Sequence, residues 1–245
     1  MSAFLSFCPT KRDRKIRGII MKNYFTKGEK LLWSGSVVLI LASFFVFDRI
    51  NYLNLAASLV GVTSLIFAAK ANPIGQALMI AFSLLYGIIS FGFSYYGEMI
   101  TYLGMTMPMS VFSLISWLKN PFNGNKSEVK VNRIHRKEVM LMCVPSLVVT
   151  AIFYFILKAF GTANLVLSTL SVTTSFVAVY LTFRRSPFFA AGYAANDIVL
   201  IILWVLAARD NSGYISVAVC FAAFLVNDLY GLISWQKIEK RQRGK

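Results

Sequence analysis

"FLVNDLYGLISW" (Phe224–Trp235) closes the last apolar run of this chain, and its final four letters occur once before, as Leu114–Trp117. A second pair of similar segments, "NLAASLVGVTS" from Asn54 and "NLVLSTLSVTT" from Asn164, precedes the two copies in the same order. The offset between the copies grows from 110 to 118 residues. The sequence therefore predicts an internal repeat with small insertions in its loops.

The composition identifies the apolar runs as membrane spans. Hydrophobic residues make up 57% of the 245 residues and charged residues only 14%, whereas a soluble protein carries about a quarter charged residues. About 20 apolar residues in a helix cross a bilayer, and eight runs qualify. They are Leu31–Phe47, Tyr52–Ala69, Pro73–Tyr95, Glu98–Leu118, Val139–Leu157, Thr162–Phe183, Pro187–Ala207 and Ser212–Trp235.

The repeat determines how the spans are grouped. Spans two to four correspond to spans six to eight, and the single span between them gives both units the same orientation. We therefore predict an all-α membrane protein of eight helices, arranged as 1+3+1+3 with two parallel three-helix repeats. The expected segments are a basic arm (1–30), an extra helix (31–50), the first repeat (51–120), a basic loop with a linker helix (121–160), the second repeat (161–236) and a basic tail (237–245). Transporters built from such repeats bind substrate near the midplane, between the repeats.

Positive charges predict the orientation of the chain in the membrane. Threading eight spans puts 22 of the 25 Lys and Arg residues on one side, and only Arg49, Lys158 and Arg209 on the other. Because cytoplasmic loops are enriched in Lys and Arg, we expect both termini in the cytoplasm. This asymmetry also accounts for the net charge of +15, so the expected partner is a lipid bilayer and not a nucleic acid. A nucleic-acid contact of the N-terminal arm is the alternative.

Residue types that support metal, redox or nucleotide chemistry are sparse. The three cysteines, Cys8, Cys143 and Cys220, have no regular spacing, and His135 is the only histidine. Glycine-rich phosphate loops and zinc-binding HExxH motifs are absent from the sequence. We therefore expect no metal, no cofactor and no enzymatic activity, and a small-molecule substrate that is carried rather than converted.

Two acids stand out within the predicted spans. Asp197 and Asp228 each follow an asparagine, Asn196 and Asn227, and lie roughly 15 and 10 Å inside the same edge at about 1.5 Å per helical residue. Ser110 is the repeat mate of Asp228. Placing an ionised aspartate at a helix centre costs about 2.5–3.5 kcal/mol, so such residues usually face a bundle interior or a water-filled cavity. These residues predict a polar layer near the middle of the membrane.

The helical spacing places aromatic residues beside both acids. Tyr193 lies one turn before Asp197, and Phe224 lies one turn before Asp228. Two carboxylates, two amides and aromatic rings suit a small, flat, polar ligand, and a cationic ring in particular. We therefore predict a substrate site formed by Tyr193, Asn196, Asp197, Asn227, Asp228, Ser110 and Phe224. The structural alternative is that the Asn–Asp pairs only join helices, at about 0.6 kcal/mol per bond.

Three further residues carry structural expectations. Trp117 and Trp235 end their spans on the predicted cytoplasmic side, and because tryptophan is enriched at membrane interfaces we expect both to anchor the protein there. Pro108 lies within a span and removes a backbone hydrogen bond, so it predicts either a tolerated kink or a hinge.

The segments "YYGEMITYLGMTMPMSVFSLISWLKN" (Tyr95–Asn120) and "FLVNDLYGLISW" resemble the PnuC family of bacterial nicotinamide riboside transporters, over about Leu53 to Trp235. The resemblance implies a SWEET-like fold in the bacterial cytoplasmic membrane. It also implies facilitated uptake of nicotinamide riboside, which phosphorylation then traps in the cytoplasm.

The sequence departs from the family pattern at the predicted site. Many members carry Trp-x-x-x-Asn on the seventh span, where this chain has Tyr193 and Asp197, and the family's glutamine after Pro-Met is Ser110 here. Relatives carry thiamine, riboflavin or deoxynucleosides, so the choice of vitamin stays open. The sequence is also compatible with a proton-coupled carrier, a sugar carrier of the same fold, an intramembrane aspartyl protease and a homo-oligomeric assembly.

Overall fold

Eight membrane-length helices form the molecule, a computed structural model that describes residues 24–92, 96–162, 164–209 and 211–244. The helices are α1 (Lys27–Asp48), α2 (Tyr52–Ala69), α3 (Ile74–Gly92), α4 (Tyr96–Lys119), α5 (Arg136–Ala159), α6 (Leu165–Phe183), α7 (Phe189–Ala207) and α8 (Ile215–Arg243). The prediction of an eight-helix membrane protein is confirmed. The predicted arm before residue 24, Cys8 within it, and the predicted end of the third span at Tyr95 lie outside the described residues.

Most helix ends differ from the predicted spans by a few residues. The largest difference is in α8, which continues past Trp235 to Arg243, through residues predicted as a basic tail. This extension is held against a short β-hairpin, in which β1 (Pro121–Phe122) pairs antiparallel with β2 (Asn125–Val129). Gln242 donates to the Glu128 side chain at 2.8 Å and accepts from the Val131 backbone N–H at 2.8 Å. Polar side chains at the end of α8 thus find partners in the hairpin, which hydropathy alone does not reveal.

Helix α4 is interrupted by a π-helical segment, Thr101–Thr106, that lies directly before Met107 and Pro108. Proline has no N–H to donate to the preceding turn and its ring crowds that turn. One wide turn accommodates this, with the Met107 N–H bonded to the Tyr102 carbonyl. Pro108 therefore stands at a local widening of a continuous helix. Such π-helical turns occur often at functional sites.

The two triplets of helices pack in corresponding ways. Helix α2 packs on α3 and α3 on α4, while α6 packs on α7 and α7 on α8. Between the triplets, α2 contacts α8 and α4 contacts α6. Within each triplet a glycine permits close approach, because a Cβ on Gly75 would lie 2.6 Å from the Ala68 nitrogen and one on Gly192 would lie 2.9 Å from the Ala178 Cα. Small residues at such crossings are typical of membrane helix packing.

Helices α1 and α5 are peripheral to this arrangement. Only 22% of the apolar segment of α1 and 11% of that of α5 are buried within the protein, compared with 56% in α2, α7 and α8. Their apolar side chains are therefore left to contact lipid. The grouping of the helices into two repeats plus two single helices remains a prediction.

The prediction that Trp117 and Trp235 anchor the membrane interface is wrong. Both side chains are completely buried, and each indole N–H donates to a backbone carbonyl at the end of a helix in the other triplet. Trp117 donates to Thr182 at 2.9 Å and Trp235 donates to Ala68 at 2.7 Å. Each of these carbonyls also accepts a backbone N–H from the turn after its helix, from Arg185 and Ala71 respectively. The tryptophan N–H is therefore a second donor that joins the two triplets. We refer to the end of the bundle that holds these two residues as the tryptophan end.

Candidate substrate site

A small cavity lies between the two triplets, and six of the eight helices contribute to its wall. Its lining residues are Leu65, Met79, Phe82, Tyr102, Thr106, Ser175, Tyr193, Asn196, Asp197, Phe221, Phe224 and Asp228. The free volume between these side chains is about 20 Å³, which is about the room that one water molecule needs. The structure is therefore closed around this site, and the helices must separate before a nucleoside-sized molecule can enter.

Asp197 and Asp228 bring two carboxyl groups to the cavity from neighbouring helices. Each residue is 4% exposed, and both side chains line the same cavity of about 20 Å³. Among the described residues, no ion pair involves either acid, and the Asp197 Oδ2 atom has no hydrogen-bond partner. This is a buried acidic pair without a counter-cation inside a membrane helix bundle, an arrangement that indicates a functional site.

Aromatic rings form part of the cavity wall. The Phe82 ring centroid lies 5.5 Å from that of Phe224 and 5.8 Å from that of Tyr102, both at steep angles. The Phe224 ring occupies space that Gly61 leaves free, because a Cβ on Gly61 would lie 2.3 Å from the Phe224 Cζ atom. Aromatic faces together with carboxylates attract organic cations, so the composition of this wall matches the acids beside it.

Asn196 lines the cavity but also joins α7 to α6. Its side-chain oxygen accepts from the hydroxyls of Thr174 at 2.9 Å and Ser175 at 3.0 Å, with Ser171 more distant at 3.4 Å. A single amide oxygen thus collects several hydroxyl donors from one helix. This contact holds α7 in the rotation that turns Asp197 toward the cavity.

The structure does not bring all the predicted site residues together. Tyr193, Asn196, Asp197, Phe224 and Asp228 line the cavity, whereas Asn227 points to α1, where its amide N–H donates to the Ser36 hydroxyl at 2.8 Å. The Ser110 hydroxyl is buried and has no hydrogen-bond partner. It lies outside the group of side chains that line the cavity. The role of Asn227 and Ser110 in binding stays a prediction.

Several lining residues were not found by sequence reasoning. Thr106 and Tyr102 belong to the π-helical segment of α4, and Ser175 lies on α6. The internal repeat contained a usable signal: Met79, Phe82 and Thr106 occupy in the first triplet the positions that Tyr193, Asn196 and Phe224 occupy in the second. Because these mates are mostly apolar, a search for polar residues in membrane spans passed over them.

Comparison with known proteins gives this cavity a family context. Residues 51–237 match the sequence profile of a family described as nicotinamide mononucleotide transporter. The chain belongs to this family. The match covers α2 to α8 up to residue 237, and so includes every lining residue of the cavity. The resemblance to the PnuC family expected from the sequence is confirmed.

Relatives and a solved structure in this transporter family align with most of the chain. The nicotinamide riboside transporter PnuC of Neisseria mucosa is 26% identical over 205 residues, which is 82% of this chain and 78% of the relative. The protein of the same name from Haemophilus influenzae is 24% identical over 225 residues, or 90% and 96% of the two chains. The crystal structure of the vitamin B3 transporter PnuC superposes with a TM-score of 0.78 at 26% identity, over 89% of this chain and 94% of that one.

Proposed function

We propose that this chain carries nicotinamide riboside across the cytoplasmic membrane of a bacterium. The observation that carries the proposal is the acidic pair Asp197 and Asp228 beside an aromatic wall, in a cavity with no basic side chain in its lining. Nicotinamide riboside has a flat pyridinium ring with a permanent positive charge, which carboxylates and ring faces both attract. Two relatives bear the name of a nicotinamide riboside transporter, which supports the same substrate here.

The riboside fits this cavity better than the mononucleotide in the family's description. A nucleotide adds a phosphate with up to two negative charges, which needs basic side chains or helix N-termini as partners. The lining offers two carboxyl groups and no Lys, Arg or His. Like charges at close range in a low-dielectric site repel strongly, so we propose that the phosphorylated form is excluded.

Five of the lining residues have a proposed role in binding. Asp197 and Asp228 neutralise the pyridinium charge, and Tyr193 and Phe224 contact the flat ring. The Asn196 amide N–H groups donate to ribose or carboxamide oxygens, since its side-chain oxygen is already bonded to α6. Release from the closed state requires the triplets to move apart, as in carriers that alternate access around a site between repeats.

The direction of uptake follows from removal of the substrate on the cytoplasmic side. Both termini and the tryptophan end lie in the cytoplasm, because the loops there carry most of the Lys and Arg residues. Substrate that reaches the cytoplasm is phosphorylated by a separate kinase, and the charged product is then rejected by the acidic cavity. This rejection keeps uptake directed inward without ATP hydrolysis by the carrier.

Uptake by purified protein in liposomes tests the proposal. We expect labelled nicotinamide riboside to accumulate to equilibrium only in vesicles that contain the protein, and unlabelled riboside to compete while the mononucleotide does not. Equal competition by the mononucleotide would contradict the proposed selectivity. Absence of any uptake by folded protein would contradict the substrate assignment.

Thiamine is the second candidate substrate, favoured by the same acidic pair because its thiazolium ring is also a flat cation. Riboflavin and deoxynucleosides are neutral and gain nothing from the two carboxyl groups. Including thiamine, riboflavin and a deoxynucleoside as competitors in the liposome assay separates these cases. We expect nicotinamide riboside to compete best and the neutral compounds least.

A further inference from the structure

The acidic pair in the cavity has no counter-charge in the closed protein. Asp197 and Asp228 line the same small cavity, and each is 4% exposed. The Asp197 Oδ2 atom has no hydrogen-bond partner within the described residues. Two ionised carboxyl groups that share one small cavity in a low-dielectric interior repel each other strongly, so the charge that compensates this pair must come from a bound proton or a bound cation.

The groups that face the pair from the surrounding helices do not supply that charge. The titratable groups near the pair are Tyr193 on α7, Tyr102 on α4 and Cys220 on α8. Tyr86 on α3, which contacts Tyr102, and Glu98 on α4 lie outside the cavity lining. Helices α2 and α6 contribute only the neutral side chains of Leu65 and Ser175 to the lining. None of these groups is a base that is positively charged at neutral pH. The pair therefore has only protons and the ligand as sources of positive charge.

We propose that a proton and the cationic substrate compete for the Asp197–Asp228 pair, so that one proton leaves the site when one substrate cation binds. The proton dissociates from a carboxyl oxygen to water, and the resulting carboxylate contacts the pyridinium ring. The charge of the buried site is the same before and after this exchange, so substrate binding adds no net charge to the membrane interior. This inference rests on the proposed function in one respect, the positive charge of the substrate.

Calorimetry with the purified full-length chain measures this exchange directly. Titrations with nicotinamide riboside at about pH 6, in two buffers of different ionisation enthalpy, report the protons released on binding. We expect about one proton per bound riboside, and an affinity that rises about tenfold per pH unit wherever release is complete. The reduced, uncharged dihydronicotinamide riboside has nearly the same shape and is the matched ligand. We expect it to bind without releasing a proton.

Two variants show whether the released proton comes from the pair. Asp197→Asn combined with Asp228→Asn removes both acids with little change in size, and we expect the remaining binding to release no proton. Glu98→Gln removes a buried acid that does not line the cavity, and we expect full proton release to remain. Loss of release in Glu98→Gln, with full release in the double variant, would overturn the assignment to the pair.

The outcomes for the two proposals differ. Binding of nicotinamide riboside without proton release contradicts the exchange and leaves the substrate assignment intact. Absence of riboside binding by folded protein contradicts the substrate assignment, and thiamine then serves as the cation in the same titrations. If thiamine binds without proton release, or if neither cation binds, the exchange is overturned as well.

Discussion

The indole rings of Trp117 and Trp235 lie in contact at the centre of the tryptophan end, with ring centroids 5.3 Å apart. The serine before each tryptophan also donates to a backbone carbonyl of the other triplet. Ser116 donates to the Phe183 carbonyl at 3.0 Å and Ser234 donates to the Ala69 carbonyl at 2.7 Å. The Ser–Trp dipeptide of α4 thus binds carbonyls in the last turn of α6, and that of α8 binds carbonyls in the last turn of α2. The short repeated motif that first indicated the internal repeat is the joint between the two triplets.

Replacing either indole donor is expected to destabilise the protein. In Trp235→Phe the Ala68 carbonyl loses the indole donor but keeps the Ala71 backbone N–H at 2.9 Å, and the loss of one buried hydrogen bond costs about 0.5–1.5 kcal/mol. We expect a melting temperature several degrees lower in detergent, with ligand affinity within a few-fold of the original. Trp33→Phe is the matched control, because Trp33 is 38% exposed. A smaller loss in Trp235→Phe than in Trp33→Phe would contradict this role, and a tenfold loss of affinity would place Trp235 in the site.

The two triplets also end their first helices in the same way. Ala71 and Arg185 each adopt a left-handed backbone conformation, with φ of 55° and 57°, directly after α2 and α6. The next N–H in each case, of Asn72 and Ser186, reaches back to the carbonyls of Phe67 and Leu181. Glycine is the usual residue in this conformation, so we expect Ala71→Gly to raise the melting temperature slightly. A clear decrease would show that the Ala71 methyl group, which is fully buried, contributes more than the backbone.

Hydropathy and repeats predicted the spans because insertion into a bilayer depends on the length and apolar content of a segment. Both quantities can be read from the sequence. They did not predict which way a polar residue faces. Asn227 turns to Ser36 on α1, and the rotation of a helix is set by packing against neighbours that hydropathy does not identify. The prediction for the two tryptophans was wrong for the same reason. The position of Trp117 and Trp235 at the ends of spans fits both an interface anchor and a buried contact between helices. The π-helical turn before Pro108 is visible only in the backbone hydrogen bonds of the structure.

The proposed orientation can be tested by reporter fusions. With 22 of 25 positive charges on one side, we expect fusions after residues 71 and 125 to report from the cytoplasm. Fusions after residues 97 and 160 should report from the outside. An even number of spans also requires the two termini to report from the same side. A contrary result from one fusion in either pair would break the proposed topology.

Gly61 gives a test of the aromatic wall that does not touch the acids. A Cβ at this position would lie 2.3 Å from the Phe224 Cζ atom, and the neighbouring Phe82 ring limits where Phe224 can move. We expect Gly61→Ala to weaken riboside binding by several-fold or more through displacement of this ring. Gly92→Ala is the matched control, since nothing lies within 4 Å of a Cβ there. Equal effects of the two variants would mean that the Phe224 position is not critical for binding.

The last prediction concerns Asp197. Variants of this residue distinguish a contact with the ligand from a bond between helices. Asp197→Asn removes the negative charge and keeps the shape of the side chain. If the carboxylate contacts a cationic ring, the variant should bind nicotinamide riboside and thiamine about tenfold or more weakly, because hydrogen bonds to charged groups contribute about 1.5–3 kcal/mol. Binding of neutral nucleosides should change less. Asp197→Ala should be worse for both classes, since polar groups of the ligand would lose their partner.

Asn196→Ala is the matched control for Asp197→Ala. Asn196 neighbours Asp197 and is equally buried, but its oxygen is bonded to hydroxyls of α6. Its removal should lower the melting temperature by breaking the bonds between α7 and α6 and leaving the Ser175 hydroxyl without an acceptor, whereas Thr174 keeps the carbonyls of Leu170 and Ser171. Asp197→Ala should instead reduce affinity with little loss of stability, because removing an acid without a counter-charge relieves an unfavourable burial. Normal affinity together with early melting in Asp197→Ala would show that Asp197 joins helices and does not bind the substrate.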